Sequence, residues 1–175
     1  DGERHAVVHA DIRDAAAMRG VFAEFRPDTV VNFAADSYVD RSIESPLGFV
    51  EASALGTAVL LETARQQWKG TGGAARFHHV STDEVYGSLG PGGKFREDSP
   101  IRPSSPYSAS KAAADILVGA YHRTYGMTTT IPHCSNNYRP RQFPEKLIPP
   151  LICTALAGAP LPVYGKGTNL PDWLH

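Results

Sequence analysis

Two stretches of this chain carry side chains whose types and spacing suit proton transfer. Ser81-Thr82-Asp83-Glu84 sets hydroxyls and carboxylates in a row, and Tyr107-Ser108-Ala109-Ser110-Lys111 sets a phenol and an ammonium four residues apart. The first follows 75–80, which reads as a short strand, so its polar groups fall just past a strand's carboxyl end, where open α/β sheets bind ligands. The second opens a helical pattern over 108–125 and brings Tyr107 and Lys111 to one face. A phenol with a pKa near ~10 is a poor base at neutral pH, and an ammonium beside it favours the phenolate. A Tyr-x-x-x-Lys alone arises often on solvated helix faces; the acids at the neighbouring strand end give this one its meaning. Asp83 and Glu84 also suit a plainer role, as the acidic first turn of a helix capped by Thr82.

The elements that must position these groups alternate along the chain. Val7 and Val8 within 5–10 predict a strand, and Asp14 predicts the N-cap of a helix over 15–25. Pro27-Asp28 turns the chain into 29–35, an apolar run of the kind that forms a parallel strand covered on both faces. Its closing Ala34-Ala35 would let a ligand approach the backbone. Residues 47–68 form the longest helical pattern, apolar around more than one stripe and so expected to be buried. After a Gly-rich loop at 70–73 comes the strand into Ser81. The segment 88–105, rich in Gly, Pro and charge, predicts a mobile connection beside the site, equally a lid or an inert surface loop. Residues 127–134 are β-rich, although Pro132 removes a ladder donor, and 145–158 predict a helix.

The pattern is that of an α/β protein: a partial Rossmann-like, doubly wound parallel sheet lacking its first βαβ unit. No Gly-x-Gly-x-x-Gly occurs, and the chain opens on Asp1 and stops at His175, so an internal fragment of a longer protein is expected. In its 175 residues, 17 basic and 18 acidic side chains leave a net charge of −1, which argues against nucleic acid and against an anionic membrane surface. The two cysteines, Cys134 and Cys153, suit a reducing, cytoplasmic setting. The uncharged run 147–163 is interrupted by prolines and reads as a helix and loop rather than a membrane span. The histidines show no ligand spacing, so no metal site is expected.

Thr82-Asp83-Glu84-Val85-Tyr86-Gly87, Tyr107-Ser108-Ala109-Ser110-Lys111, Ser135-Asn136-Asn137-Tyr138 and Phe143-Pro144-Glu145-Lys146-Leu147-Ile148-Pro149 together resemble the dTDP-glucose 4,6-dehydratases, extended short-chain dehydrogenase/reductases. The motifs run in the same order over essentially the whole chain. The resemblance implies NAD as cofactor, held by an incomplete dinucleotide-binding domain over 1–158, with the start of a small substrate lobe over 159–175. Asp11 and Ile12 would meet its adenine, Phe33, Ala34, Ala35 and Ser37 its nicotinamide side, and Tyr107, Lys111 and Asn137 would complete the contact. For a nucleotide-sugar substrate such as dTDP-glucose it implies Ser37, Thr82, Asn136, Lys146 and Leu147, with Pro162, Val163 and Tyr164 on a thymine-binding strand. It also implies a homodimer built on helices 47–68 and 107–125.

The reaction so implied oxidises C4, eliminates water across C5 and C6, and returns hydride to C6. Tyr107, activated by Lys111 and relayed by Thr82, would take the C4 hydroxyl proton; Glu84 would abstract the C5 proton and Asp83 would protonate the leaving C6 hydroxyl. That requires one carboxylate ionised beside one protonated. Asp36, Tyr38, Ala52, His133, Arg139, Arg141 and Pro171 depart from the family's usual residues. An epimerase or decarboxylase of the same superfamily, or a non-catalytic NAD-fold remnant, is the alternative, and the fragment alone is expected to turn over little or nothing.

Overall fold

A computed structural model describes residues 5–37, 39–70, 74–89, 92–144, 146–163 and 173–174. The chain divides into two compact units, Asp1–His133 and Cys134–His175. The first is built on three parallel strands, β1 (Thr29–Asn32), β2 (Arg76–His79) and β4 (Thr128–Thr130), in the order β1-β2-β4. Thr29 sits opposite Arg76, Asn32 opposite His79, and Arg76 opposite Thr128. In sequence the two-residue β3 (Ser81–Thr82) lies between β2 and β4, and β5 (His133–Cys134) falls at the boundary of the two units. Parallel neighbours require crossovers. These are a long helical passage after β1 and α5 (Pro106–Tyr125) after β2.

Helix α1 (Ala15–Phe25) has the predicted bounds: the Asp14 carboxylate accepts from the amides of Ala16 and Ala17 at 2.9 and 3.0 Å. Short α2 (Val39–Glu44) follows β1. The single helix expected over 47–68 is in three parts, α3 (Pro46–Phe49), a π-helical stretch Val50–Leu55 and α4 (Gly56–Gln67). At Gly56 a Cβ would run into the Ile12 side chain, so the glycine lets the loop before α1 lie close on α4. The passage Pro46–Gln67 is long and apolar enough to cross a bilayer by length and composition. Leu60, Leu61 and Ala64 on it are buried in the core of this unit.

That core joins Met18 and Phe22 of α1, Leu60, Leu61 and Ala64 of α4, Phe77 of β2, Val118 of α5 and Met127. Phe77 and Leu61 are fully buried, and each such side chain contributes about 1.5–3 kcal/mol in transfer free energy. Two expectations are corrected. Residues 5–10 form no strand and Val7 is 91% exposed, because no described strand pairs with them to satisfy a ladder. Residues 29–35 form a strand only to Asn32, and it is covered on one face: Asn32 is buried while Val31 is 49% exposed. Pro132 falls in the break between β4 and β5, where its carbonyl accepts from the Ser81 amide at 3.0 Å.

In the second unit β6 (Asn136–Asn137) pairs in parallel with β7 (Trp173–Leu174), and the Tyr138 amide donates to Leu174 O at 3.0 Å. Helix α6 (Ile148–Leu156) occupies the centre of the helix expected at 145–158.

Candidate active site

Strand β2 delivers the acidic stretch. Beyond His79 the backbone stays extended through Thr82, whose Oγ1 accepts from the Glu84 amide at 3.3 Å and so caps a 3-10 turn, Asp83–Tyr86. The plainer reading of this stretch holds: Asp83 and Glu84 form the acidic first turn of a capped helix, and the cap fixes their backbone at the strand end. Val85 and Tyr86 anchor the turn in the interior. Gly87 follows with φ 84°, and a Cβ there would overlap the carbonyl of Arg102, so only glycine fits. The connection to α5 returns to the turn twice, through Phe95 stacked on Tyr86 at 5.2 Å and the Arg102 amide donating to Val85 O at 2.9 Å. Gly87, Gly90 and Gly93 have dinucleotide-loop spacing on paper. The described residues after them run without helix to Ser105, so no helix N-terminus stands behind them as a phosphate cradle.

Helix α5 starts at Pro106, earlier than its apolar pattern, because Ser105 and Ser108 form a reciprocal capping box (3.1 and 3.0 Å) with proline in the first turn. Tyr107 thus rides on the first turn, its ring edge-on to Phe49 at a centroid distance of 6.4 Å. Tyr107 is 8% exposed and Lys111 3%. One turn along, Lys111 Nζ donates to Val80 O at 2.7 Å, tying the helix to the strand end.

Burial, and after it the charge of Glu84, push the Tyr107 phenol up to about 12; the Thr82 hydroxyl, hydrogen-bonded to it, acts in the opposite sense, and Asp83 and Asp115 add to the rise. The structure therefore brings Thr82, Asp83 and Glu84 around the phenol, while Lys111 is bound to the Val80 carbonyl. It corrects one expectation. In the chain by itself the phenol is not sharpened by Lys111, since desolvation and the acid pair outweigh any cation.

Of the residues implied for a dinucleotide, Phe33, Ala34, Ala35 and Ser37 follow the carboxyl end of β1, whereas Asp11 and Ile12 follow no strand and precede α1. Asn32 Oδ1 accepts from the Ala34 amide at 3.0 Å and turns the chain out of β1. Phe33, 73% exposed, and the small Ala34 and Ala35 follow it, an apolar ledge on which a ring could lie. Because β1 and β2 are parallel and adjacent, Asn32 lies opposite His79, two residues before Ser81. Ser37 is half-buried. Asp11 lies on the surface, its carboxylate gripped by Arg13 (2.7 Å at Nη2), which holds its pKa below the usual range; Arg13 also pairs with Glu51 at 2.5 Å. Ile12 packs on the core. These residues fit the nicotinamide end and an adenine edge; the sequence holds no phosphate-binding glycine loop of the first-strand type.

In the second unit Asn136 and Asn137 are exposed on β6, with Asn137 Nδ2 donating to Ser135 O at 2.8 Å. Lys146 is half-buried, and Leu147, Pro162 and Val163 are exposed. Tyr164, Tyr38 and Pro171 lie outside the described residues. At the Arg139/Arg141 departure the left-handed residue is Arg141, with φ 65°, not Arg139. An open cavity of about 390 Å³ is lined by Tyr138, Arg141, Ile148 and Ile152, among others.

The sequence profile of the GDP-mannose 4,6 dehydratase family matches residues 1–175. The chain belongs to this family. Among its relatives, the dTDP-glucose 4,6-dehydratase of Xanthomonas campestris is 55% identical over 174 residues, 97% of this chain and 50% of that protein. The dTDP-glucose 4,6-dehydratase 1 of Escherichia coli K12 is 50% identical over 188 residues, all of this chain and 52% of that protein. The chain thus spans about half the length of the curated relatives it matches. In structure it is similar to DesIV, the dTDP-glucose 4,6-dehydratase of Streptomyces venezuelae solved with NAD bound, at TM-score 0.87 and 48% identity over 96% of this chain and 50% of that one. The UDP-glucose 4-epimerase of Thermotoga maritima shares the fold at TM-score 0.87 and 26% identity, over 95% of this chain and 54% of that one.

This member of the GDP-mannose 4,6 dehydratase family holds a second polar cluster that the motif reading passed over. Asp115, 4% exposed, lies one turn beyond Lys111 on α5 and accepts from Ser81 Oγ at 2.8 Å and His133 Nε2 at 3.0 Å. Its other oxygen faces His79 Nε2 at 3.5 Å. Asn32 Nδ2 donates to Thr57 Oγ1 and to His79 Nδ1, both at 3.1 Å, which leaves the His79 ring proton on Nε2. The spacing Tyr-x-x-x-Lys-x-x-x-Asp could have marked Asp115, since it continues one helix face.

His79 gives this chain a pH signature. Burial, then the charge of Lys111, drive its pKa down from 6.5 to about 4, against the pull of Asp115 and with smaller pushes from His133 and His78. The unfolded state therefore binds the proton first. Nothing is lost above the ordinary histidine pKa, stability falls as the pH drops below it, and the loss is complete below the depressed value. Between neutral pH and a pH of about 4, His79 is expected to remove about 3 kcal/mol of stability. Urea unfolding of the chain across this range checks it: His79→Gln should flatten that part of the profile, and an unchanged slope would assign the acid sensitivity elsewhere.

Proposed function

We propose that the complete protein carrying this chain is an NAD-dependent hydro-lyase that converts dTDP-glucose to dTDP-4-keto-6-deoxyglucose. The observation that carries the reading is the buried Tyr107 phenol, with the Thr82 hydroxyl hydrogen-bonded to it and Glu84 and Asp83 beside it. Support also comes from relatives of that activity at 55% and 50% identity.

Bound NAD supplies a reversible hydride acceptor, and the ledge Phe33-Ala34-Ala35 with Ser37, Asp11, Ile12 and Asn137 would hold it. Within this chain, Lys111 anchors α5 to the strand end, and Tyr107 takes the C4 hydroxyl proton through Thr82. Its high resting pKa is brought into range only when a positive charge is added beside it. A 4-keto group acidifies the C5 proton, which Glu84 removes, while Asp83 donates to the departing C6 hydroxyl. The acids need opposite protonation states, a split that close carboxylates favour because both cannot ionise cheaply. Asn136, Lys146, Leu147, Pro162, Val163 and Tyr164 are the proposed nucleotide-sugar contacts. Lys146 is suited to a diphosphate as a point charge.

A homodimer through α3, α4 and α5 is part of the proposal. Its support is the apolar surface left open by α3, the π-helical stretch after it and α5, with Leu47 75%, Leu55 51% and Ile116 58% exposed. We further place the protein in the cytoplasm, on the support of its free cysteines Cys134 and Cys153. The deciding experiment incubates the complete protein with dTDP-glucose and NAD and reads the alkaline absorbance of a 4-keto-6-deoxy sugar. Its appearance is expected. A C4-epimerised sugar without that absorbance would replace the dehydratase by an epimerase.

A further inference from the structure

Asp115 reaches both ends of the stretch that carries the proposed chemistry. At one end its Oδ2 accepts from Ser81 Oγ at 2.8 Å, immediately before Thr82. At the other, His133 Nε2 donates to the same oxygen at 3.0 Å, and the Tyr86 hydroxyl meets His133 Nδ1 at 2.5 Å. Tyr86 is the last residue of the 3-10 turn that begins at Asp83. A tyrosine donating to Nδ1 leaves the ring proton on Nε2, pointed at the carboxylate, so the chain of donors is consistent from end to end. Asp115 itself sits on α5 two turns beyond Tyr107, and between them Lys111 Nζ is bound to Val80 O at 2.7 Å. The carboxylate is buried and touches neither Thr82, Asp83 nor Glu84 by any of these bonds.

We propose that Asp115 is a positioning residue: by gripping Ser81 directly and Tyr86 through His133, it fixes the 82–85 segment against α5 and so sets the distance from the Tyr107 hydroxyl to Thr82, Asp83 and Glu84. A bond to one end alone would let the turn pivot about it. Bonds at both ends hold its register: Asp115 Oδ2 takes both of them, while Oδ1 faces His79 Nε2 at 3.5 Å without a hydrogen bond. The reaction part of this inference rests on the dehydratase reading above; the structural part does not.

The test compares Asp115→Asn with wild type in the complete protein, using dTDP-glucose as substrate. Asparagine keeps the volume but turns one acceptor into a donor facing Ser81 or His133. Misplacement of reacting groups by about 1 Å is expected to lower kcat by about 10- to 100-fold while KM stays within about twofold. Tyr86→Phe keeps the ring stacked on Phe95 and removes only the link to His133, so kcat should fall by a smaller factor, about threefold to tenfold, again at constant KM. It also decides the matter if Asp115→Asn does not fold. Wild-type kcat in Tyr86→Phe, or in a folded Asp115→Asn, overturns the proposal, as does a change confined to KM. A second readout needs no turnover: hydrogen exchange of the 81–86 amides should quicken about tenfold in Asp115→Asn relative to those of α1. Unchanged exchange there overturns the proposal even if wild type makes no 4-keto-6-deoxy product, a result that would sink only the assigned reaction.

Discussion

Replacing Glu84 by Gln is expected to separate the two halves of the reaction. The Glu84 backbone is held by its amide bond to Thr82 Oγ1 at 3.3 Å, and glutamine keeps that bond, the side-chain length and most of its volume. What it cannot do is accept a proton from carbon. Oxidation at C4 precedes and enables loss of the C5 proton, because only the ketone makes that proton acidic enough for a carboxylate. In the complete protein, Glu84→Gln should therefore still form the reduced cofactor signal in a single turnover, and the signal should persist. Exchange of the C5 hydrogen with deuterated solvent should fall by about 10²–10⁴-fold, the range for removal of a general base. Mass spectrometry of recovered sugar measures the exchange and absorbance measures the oxidation. Equal loss of both would take the C5 base away from Glu84.

Tyr107→Phe is expected to act earlier and stop both halves. The ring is held by Phe49, edge-on at 6.4 Å, and phenylalanine preserves that contact, so fold and substrate affinity should survive. The hydroxyl bonded to Thr82 is lost, and with it the route for the C4 hydroxyl proton. Oxidation and everything after it should slow by about 10²–10⁴-fold at nearly constant KM. The ligand-free phenol is pushed up to about 12 by burial and by Glu84, so neutralising that acid should ease its ionisation. Glu84→Gln should consequently move the acid limb of the C4 oxidation rate to lower pH, a shift absent from Tyr107→Phe. Retention of wild-type oxidation by Tyr107→Phe would remove the tyrosine from the mechanism.

Some of this was legible in the residue order because it depends only on neighbours along the chain. Asp14 caps α1 through amides two and three residues away, and Thr82 caps the acidic turn through the amide two residues on. The Ser105–Ser108 capping box with Pro106 is just as local, yet the apolar pattern placed the start of α5 at 108, two residues late. The strands at 29–32 and 76–79 were visible as short apolar or β-rich runs. Residues 5–10 had the same local pattern and formed none, since a strand exists only where another strand completes its hydrogen bonds.

The sequence by itself determined which side chains share a face: Tyr107 with Lys111 by helical spacing, and Thr82, Asp83 and Glu84 by adjacency at a strand end. Only the tertiary structure decided what those groups experience. The direction of the Tyr107 pKa follows from desolvation and from Glu84, not from the lysine one turn away, and the two-ended hold of Asp115 joins residues 34, 18 and 47 positions apart in the chain. Helical and strand periodicity reach a few residues; burial and electrostatic environment are set by whatever the fold packs from elsewhere, so they have no local signature to read.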